Sequence, residues 1–221
     1  MKIACVGYRE WALNIYKNIA SSCNEKFLIL NSKNEYKEEI IFNFKPDIIL
    51  FYGWSWHISK KIINEFKCLM LHPSPLPKYR GGSPIQNQII NGELESKVSI
   101  FLMTEELDAG PILLQESFSL EGNMKNIFKR IEKIGIKLTK KILEEFPVVY
   151  EQNHTEATYF KRRKIESSQI TLDEIYNKDA LYLFNKIRML SDPYPNAYIK
   201  TKDGKYLLIK EVELHDEYPY S

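Results

Sequence analysis

The stretch "CLMLHPSPLPKYRGG", residues 68–82, runs from four apolar residues through His72 into a loop with prolines at 73, 75 and 77 and glycines at 81 and 82. A short continuous apolar run bounded by prolines reads as a strand buried on both faces. Proline has no amide hydrogen to give a ladder, so the strand ends at His72. Beyond it the chain enters a stiff loop, expected to be neither helix nor strand. A histidine therefore closes a core strand beside a wall that holds its shape.

Reading outward, the upstream runs "DIILFYG" (47–53), "FLIL" (27–30) and "KIACVG" (2–7) have the same character. Between them lie helical patterns: "REWALNIYKNIASS" with Trp11, Leu13, Ile15, Ile19 and Ala20 near helical spacing, "EYKEEIIFNF" stopped before Pro46, and "ISKKIINEF". Strands alternating with helices predict β-α-β units, hence a Rossmann-like α/β fold, a mostly parallel sheet with helices on both faces. Downstream, "VSIFLMT" (98–104) and "PILLQESFSL" (111–120) are split by the turn "EELDAG". The longest helical pattern covers residues 123–146, with Ile127, Ile131, Ile134, Leu138 and Ile142 on one face and Pro147 at its end. After residue 150 the chain turns polar and basic, then amphipathic over 178–191. It ends in "DPYPNAYIK" and "KYLLIKEVEL", a hairpin turning at Asp203-Gly204. We expect a main domain over 1–150 and a small C-terminal α+β extension over 151–221. The apolar strands of that extension either pack within the chain or form the seam of a homodimer.

The chain of 221 residues is 44% hydrophobic and 13% aromatic, a globular composition. Its 31 basic and 29 acidic residues leave a net charge of +2, which argues against a nucleic-acid partner. Cys5, Cys23 and Cys68 form no paired motif and suit reduced thiols in a cytosol. The N-terminus lacks a signal-peptide pattern, and no window reaches the ~20 apolar residues of a membrane span. The expectation is a soluble, cytoplasmic protein with no membrane partner.

In doubly wound sheets, ligands meet the carboxyl ends of parallel strands, which is where His72 falls. The alternative is that the prolines merely terminate the strand and the histidine caps it; position favours the functional reading. Asp108, in "EELDAG", reads by itself as a turn residue. If both turns face one sheet edge, its carboxylate can orient His72 and stabilise the protonated ring. No metal site is expected: His72 has no helical His or Cys partner, and Cys68 lies on the same strand. The turn "GYREW" lacks the GxGxxG fingerprint, so no dinucleotide is expected. "FKRRK" (160–164) is either a solvated face or a clamp for phosphate.

"LHPSPLPKYRGGSPIQNQIINGE" (71–93) followed by "SIFLMTEELDAGPILLQ" (99–115) resembles the signature of the folate-dependent formyltransferases. That pattern has a histidine ending a strand, an "HxSxLPxxRG" loop and a "DxG" turn some 35 residues later. "EATYFKRRKIESSQI" (156–170) and "RMLSDPYPNAYI" (188–199) are similar to the C-terminal region of the sugar-nucleotide N-formyltransferases within this family. The methionyl-tRNA enzymes carry a larger basic barrel there, which the remaining ~70 residues are not expected to supply. The resemblance implies transfer of a formyl group from 10-formyltetrahydrofolate to the amine of a nucleotide-linked amino deoxysugar, in bacterial surface glycan biosynthesis. It implies no metal. His72 and Asp108 become the catalytic pair. Trp54, Leu71, Leu107 and Asp108 would wall the folate, although the aromatics after the third strand suit a core equally well. Arg9, Ser74, Arg80, Gly81, Ser83, Gln86, Arg162 and Arg163 would bind the sugar nucleotide. One position departs from the pattern: the family has Asn two residues before the histidine, and here it is Met70. A thioether cannot donate to an oxyanion as an amide does. Either Gln86, Asn87 or a backbone amide fills that role, or the protein is a non-catalytic folate or nucleotide-sugar binder. A methionyl-tRNA or other folate-dependent formyltransferase is the further alternative.

Overall fold

The computed structural model describes residues 1–217 and 219. Its elements in chain order are β1 (Lys2–Val6), α1 (Glu10–Ser22), β2 (Lys26–Leu30), α2 (Glu38–Phe44), β3 (Ile48–Tyr52), α3 (Lys60–Glu65) and β4 (Cys68–His72). Next come β5 (Arg80–Gly81), α4 (Pro84–Ile90), β6 (Glu95–Leu102), β7 (Ile112–Ser119) and α5 (Met124–Glu144). The remainder is β8 (Tyr159–Phe160), α6 (Leu172–Asn177), α7 (Ala180–Arg188), β9 (Ala197–Lys200) and β10 (Tyr206–Ile209). No helix among the described residues is long and apolar enough to cross a membrane.

Six strands form one sheet in the order β2-β1-β3-β4-β6-β7. The first four are parallel, β6 runs antiparallel to β4, and β7 antiparallel to β6. Alternation along each central strand feeds two cores, as the period of two requires. Ile3, Cys5, Leu50, Leu69 and Leu71 face α1 and α5, whereas Ala4, Val6, Ile49, Phe51 and Cys68 face α2 and α3. The α5 stripe Ile127, Ile131, Ile134, Leu138 and Ile142 is buried against the first core. A Cβ on Gly135 would come within 2.5 Å of Ile15 Cδ1 and 3.0 Å of Leu71 Cδ1, so glycine lets α5 settle onto α1 and the sheet.

The carboxyl ends of β1, β3 and β4 share one edge, and the chain leaves them at Arg9, Trp54 and His72. Strand order reverses between β1 and β3, which opens the crevice where such sheets hold ligands. Two local readings change. The loop after His72 does contain a short strand: Arg80–Gly81 pairs with Tyr159–Phe160, because the carbonyls of Thr158 and Phe160 accept from the amides of Arg80 and Gly82. The helix α4 begins at once, nucleated at Pro84, whose missing N–H costs nothing in a first turn. The C-terminal hairpin forms as expected, β9 against β10, with Gly204 at φ 79° in its turn.

Candidate active site

His72 ends β4 and is 6% exposed. Its Nε2 lies 2.8 Å from the carbonyl oxygen of Tyr79. A carbonyl only accepts, so Nε2 carries the proton and the neutral ring's lone pair sits on Nδ1. Nδ1 faces Asp108 Oδ2 at 3.6 Å, outside hydrogen-bond range. The same Oδ2 accepts from the Gly81 amide at 2.8 Å. A proton arriving on Nδ1 would therefore form a buried ion pair with a carboxylate already held in place.

Asp108 does not reach His72 by sharing its strand end. β6 is antiparallel to β4, so Leu102 lies beside Leu69, at the far end from His72. The connection doubles back along the sheet. Gly110 allows this, since a Cβ there would lie 1.8 Å from the Leu102 carbonyl oxygen. Asp108 itself takes a left-handed φ of 52°, which Asp tolerates better than most residues.

Sequence reasoning missed the groups that hold this turn. Gln152, 4% exposed, donates from Nε2 to the carbonyls of Asp108 (3.0 Å) and Gly110 (2.7 Å). Its Oε1 accepts from Arg80 Nε (3.1 Å) and Nη2 (2.7 Å). Arg80 Nη1 donates to the Tyr159 hydroxyl at 2.5 Å and stands 3.7 Å from Glu106. Tyr79 is fixed through its amide to Thr158 Oγ1 at 2.8 Å.

A cavity of about 980 Å³ opens over the pair. One wall belongs to the α2/α3 core and carries Trp54, Trp56, Ile58, Met70 and Met103; the other belongs to the α1/α5 core and carries Trp11, Leu71, Ile85, Phe128 and Tyr194. Of the sequence-predicted residues, Arg9, Gly81, Ser83, Leu107, Arg162 and Arg163 also line it. Gln86 does too, at 2% exposure, and its Nε2 has no hydrogen-bond partner. The Trp54 indole N–H is likewise buried without a partner. Three residues fall outside the cavity. Arg80 is fully buried and committed to Gln152 and Tyr159; Ser74 is fully buried and donates to the Lys78 carbonyl; Asn87 donates to the Gly82 carbonyl. The arginine between tyrosine and glycine looks like a phosphate ligand only while its distant partners are unseen.

Cations gather on one side. The Arg9 guanidinium lies over the rings of Tyr8 (4.8 Å) and Tyr194 (5.4 Å). Burial opposes ionisation of the Tyr8 hydroxyl, but its bonds to Ser55 and Arg162 and the charge of Arg9 outweigh it and pull the group below its ordinary range. Burial lowers Arg163, whose Nε has no partner. Burial pushes the Cys68 thiol up to about 12 and Cys5 higher still, so neither is a nucleophile. Among the described residues no cluster of three or more His, Cys, Asp or Glu could hold a metal.

A crevice of this kind is where doubly wound α/β proteins bind their ligands. Residues 12–138 match the family described as Formyl transferase, and the chain belongs to that family. The formyl donor of the family is 10-formyltetrahydrofolate. A methionyl-tRNA formyltransferase of Wolbachia pipientis subsp. Culex pipiens (strain wPip) is 32% identical over 80% of this chain. The chain spans only 58% of that relative's length. A methionyl-tRNA formyltransferase structure from Clostridium thermocellum superposes with TM-score 0.82 at 32% identity, covering 95% of this chain and 97% of its own. A 4-N formyltransferase from Francisella tularensis shares the fold, with TM-score 0.79 at 23% identity over 98% of each chain.

Proposed function

We propose that this formyltransferase acts on the amine of a nucleotide-linked amino deoxysugar. The observation that carries this reading is that three arginines, Arg9, Arg162 and Arg163, are among the residues lining the same cavity as His72 and Asp108, although one Arg163 nitrogen, Nη2, donates to the Ser167 carbonyl. A sugar nucleotide sets its diphosphate one ring away from its amine, so one cavity of this size must hold both cations and base. The near-neutral balance of the chain supports a small acceptor over a polyanion.

His72 Nδ1, the free lone pair of the ring, takes the proton that the amine loses as its nitrogen bonds to the formyl carbon. Asp108 stabilises the resulting imidazolium, and Nδ1 then returns the proton to the folate nitrogen as the carbon–nitrogen bond of the donor breaks. Trp54, Leu71 and Leu107 wall the folate, and the unpartnered Trp54 N–H offers a donor to a pterin heteroatom. Met70 lines the cavity and cannot donate to the growing oxyanion. Of the two side chains proposed to replace the family amide, Asn87 is spent on Gly82 and Gln86 remains free, so we assign that role to Gln86. Arg9, Arg162 and Arg163 bind the phosphates, with Ser83 and the Gly81 backbone beside the sugar.

A second reading, a methionyl-tRNA acceptor, is favoured by the 32% identity to the Clostridium thermocellum structure across both chains. One experiment separates them. The protein is incubated with 10-formyltetrahydrofolate and, in parallel, a panel of nucleotide-linked 3-amino and 4-amino sugars and methionyl-tRNA, and products are read by mass. A formylated sugar nucleotide is the expected product. Formylated methionyl-tRNA with no sugar product would overturn the sugar reading, and tight binding of both ligands with no product would make the chain a non-catalytic binder.

A further inference from the structure

We infer that Gln152 is a positioning residue for the His72–Asp108 pair, acting by carrying the fixed location of Arg80 to the backbone of the Asp108–Gly110 turn. The inference rests on the reading of Asp108 as the partner of the reacting histidine. Both hydrogens on Gln152 Nε2 and both lone pairs on Oε1 are used, toward Asp108, Gly110 and the two Arg80 nitrogens. A flipped amide would set N–H against guanidinium and oxygen against carbonyl, so the orientation is determined. Arg80 cannot move, being fully buried and flanked by backbone bonds to Thr158 and Phe160. The turn needs such an anchor. Asp108 is a non-glycine residue in the left-handed region, a conformation that persists where surroundings over-determine it. Gln152 reaches this place because Tyr150 bridges Ile112 at the start of β7.

The test is Gln152→Glu. The carboxylate keeps, and charges, the acceptor for Arg80, but sets an oxygen against the carbonyls of Asp108 and Gly110. The stronger Arg80–carboxylate pair offsets part of the cost of the two carbonyls left unpaired, while the turn shifts. Two readouts decide it. The Gly81 amide bonds Asp108 Oδ2 and not β8, so its hydrogen exchange by NMR reports the turn without any substrate. Exchange should accelerate in the variant. With the acceptor that wild type turns over, kcat should fall about 100-fold, the scale of an ångström misplacement, with the KM for the formyl donor held within about threefold. Unchanged protection at Gly81 would overturn the clamp, and altered protection with wild-type kcat would overturn its catalytic consequence. If wild type turns over no acceptor, the functional reading fails separately and Gly81 exchange still decides the clamp. Should Gln152→Glu not fold, Gln152→Met is read well below its own melting midpoint. Wild-type kcat and Gly81 protection there would equally refute the inference.

Discussion

Asp108→Asn separates the charge of the carboxylate from its shape. Asn preserves volume, tolerates the φ of 52°, and keeps an oxygen for the Gly81 amide 2.8 Å away. What disappears is one negative charge 3.6 Å from Nδ1. With an effective dielectric of about 20, a full charge pair at that distance is worth about 5 kcal/mol. The ring carries only part of a charge at the transition state, so the rate loss should be on the order of 10²–10³-fold. The assay is kcat/KM on the acceptor found by mass, beside a thermal melt of each protein. The melting midpoint should stay close to wild type. An Asp108→Asn enzyme within about tenfold of wild type would refute the reasoning, because a tenfold change is about 1.4 kcal/mol, well short of the charge–charge energy.

Gly82→Ala should both destabilise the fold and weaken acceptor binding: the new Cβ would sit 2.3 Å from Arg162 Cα, and overpacking of this kind costs about 1–3 kcal/mol. A lowered melting midpoint with a raised acceptor KM is expected, and wild-type values for both would contradict it. Glu174 lies 2.5 Å from the buried Lys186 ammonium. Burial raises its carboxyl, but the Lys186 hydrogen bond, the Thr171 amide and the Lys186 charge outweigh that and hold it below its ordinary value. This pair therefore stabilises the fold above the unfolded carboxyl pKa and stops doing so as pH falls through the lower folded value. Glu174→Gln should cost about 2–3 kcal/mol at neutral pH, and that deficit should shrink in urea titrations as pH falls below the ordinary carboxylate range. A deficit that does not change with pH would show the loss is not electrostatic.

The parallel half of the sheet was legible because its strands are buried on both faces, so apolar runs such as "IILFY" and "CLMLH" need no periodicity to be recognised. The α5 stripe was legible for the opposite reason, its regular spacing over many turns. The antiparallel β6 was not readable as such, since strand direction depends on which connection crosses the sheet and not on composition. The short α4 lies in "PIQNQII", where Gln86, Asn87 and Gln88 are buried polar residues and blur any apolar face. Cations show the limit most clearly. Arg80 and Arg162 look alike in sequence, both in glycine- or basic-rich loops. Only Arg162 lines the cavity, because Arg80 finds Gln152 and Tyr159, more than 70 positions on. Gln152 itself sits in "YEQNH", a polar run with no period, and its meaning lies wholly in what the Tyr150–Ile112 bridge brings near it.

Three consecutive residues give His72 and Asp108 a common frame. The Tyr79 carbonyl fixes the His72 ring, the Arg80 side chain fixes Gln152 and through it the Asp108 backbone, and the Gly81 amide fixes the Asp108 carboxylate. His72 and Asp108 stand 36 positions apart in the chain, yet both are hydrogen-bonded to the same three-residue segment, 79–81. That same segment pairs with β8, and the Arg163 amide donates to Ser83 Oγ one residue past the glycines. The chain carrying Arg162 and Arg163 is therefore tied to the segment that holds His72 and Asp108. If, as proposed, the acceptor's phosphates bind Arg162 and Arg163, their pull would fall on the Gly81–Ser83 backbone, and the first hydrogen bond from there to the proposed pair is Gly81 to Asp108. Acceptor contacts remote from the amine can in this way act on the geometry of the reacting pair, which is how binding energy far from a reaction centre is converted into rate.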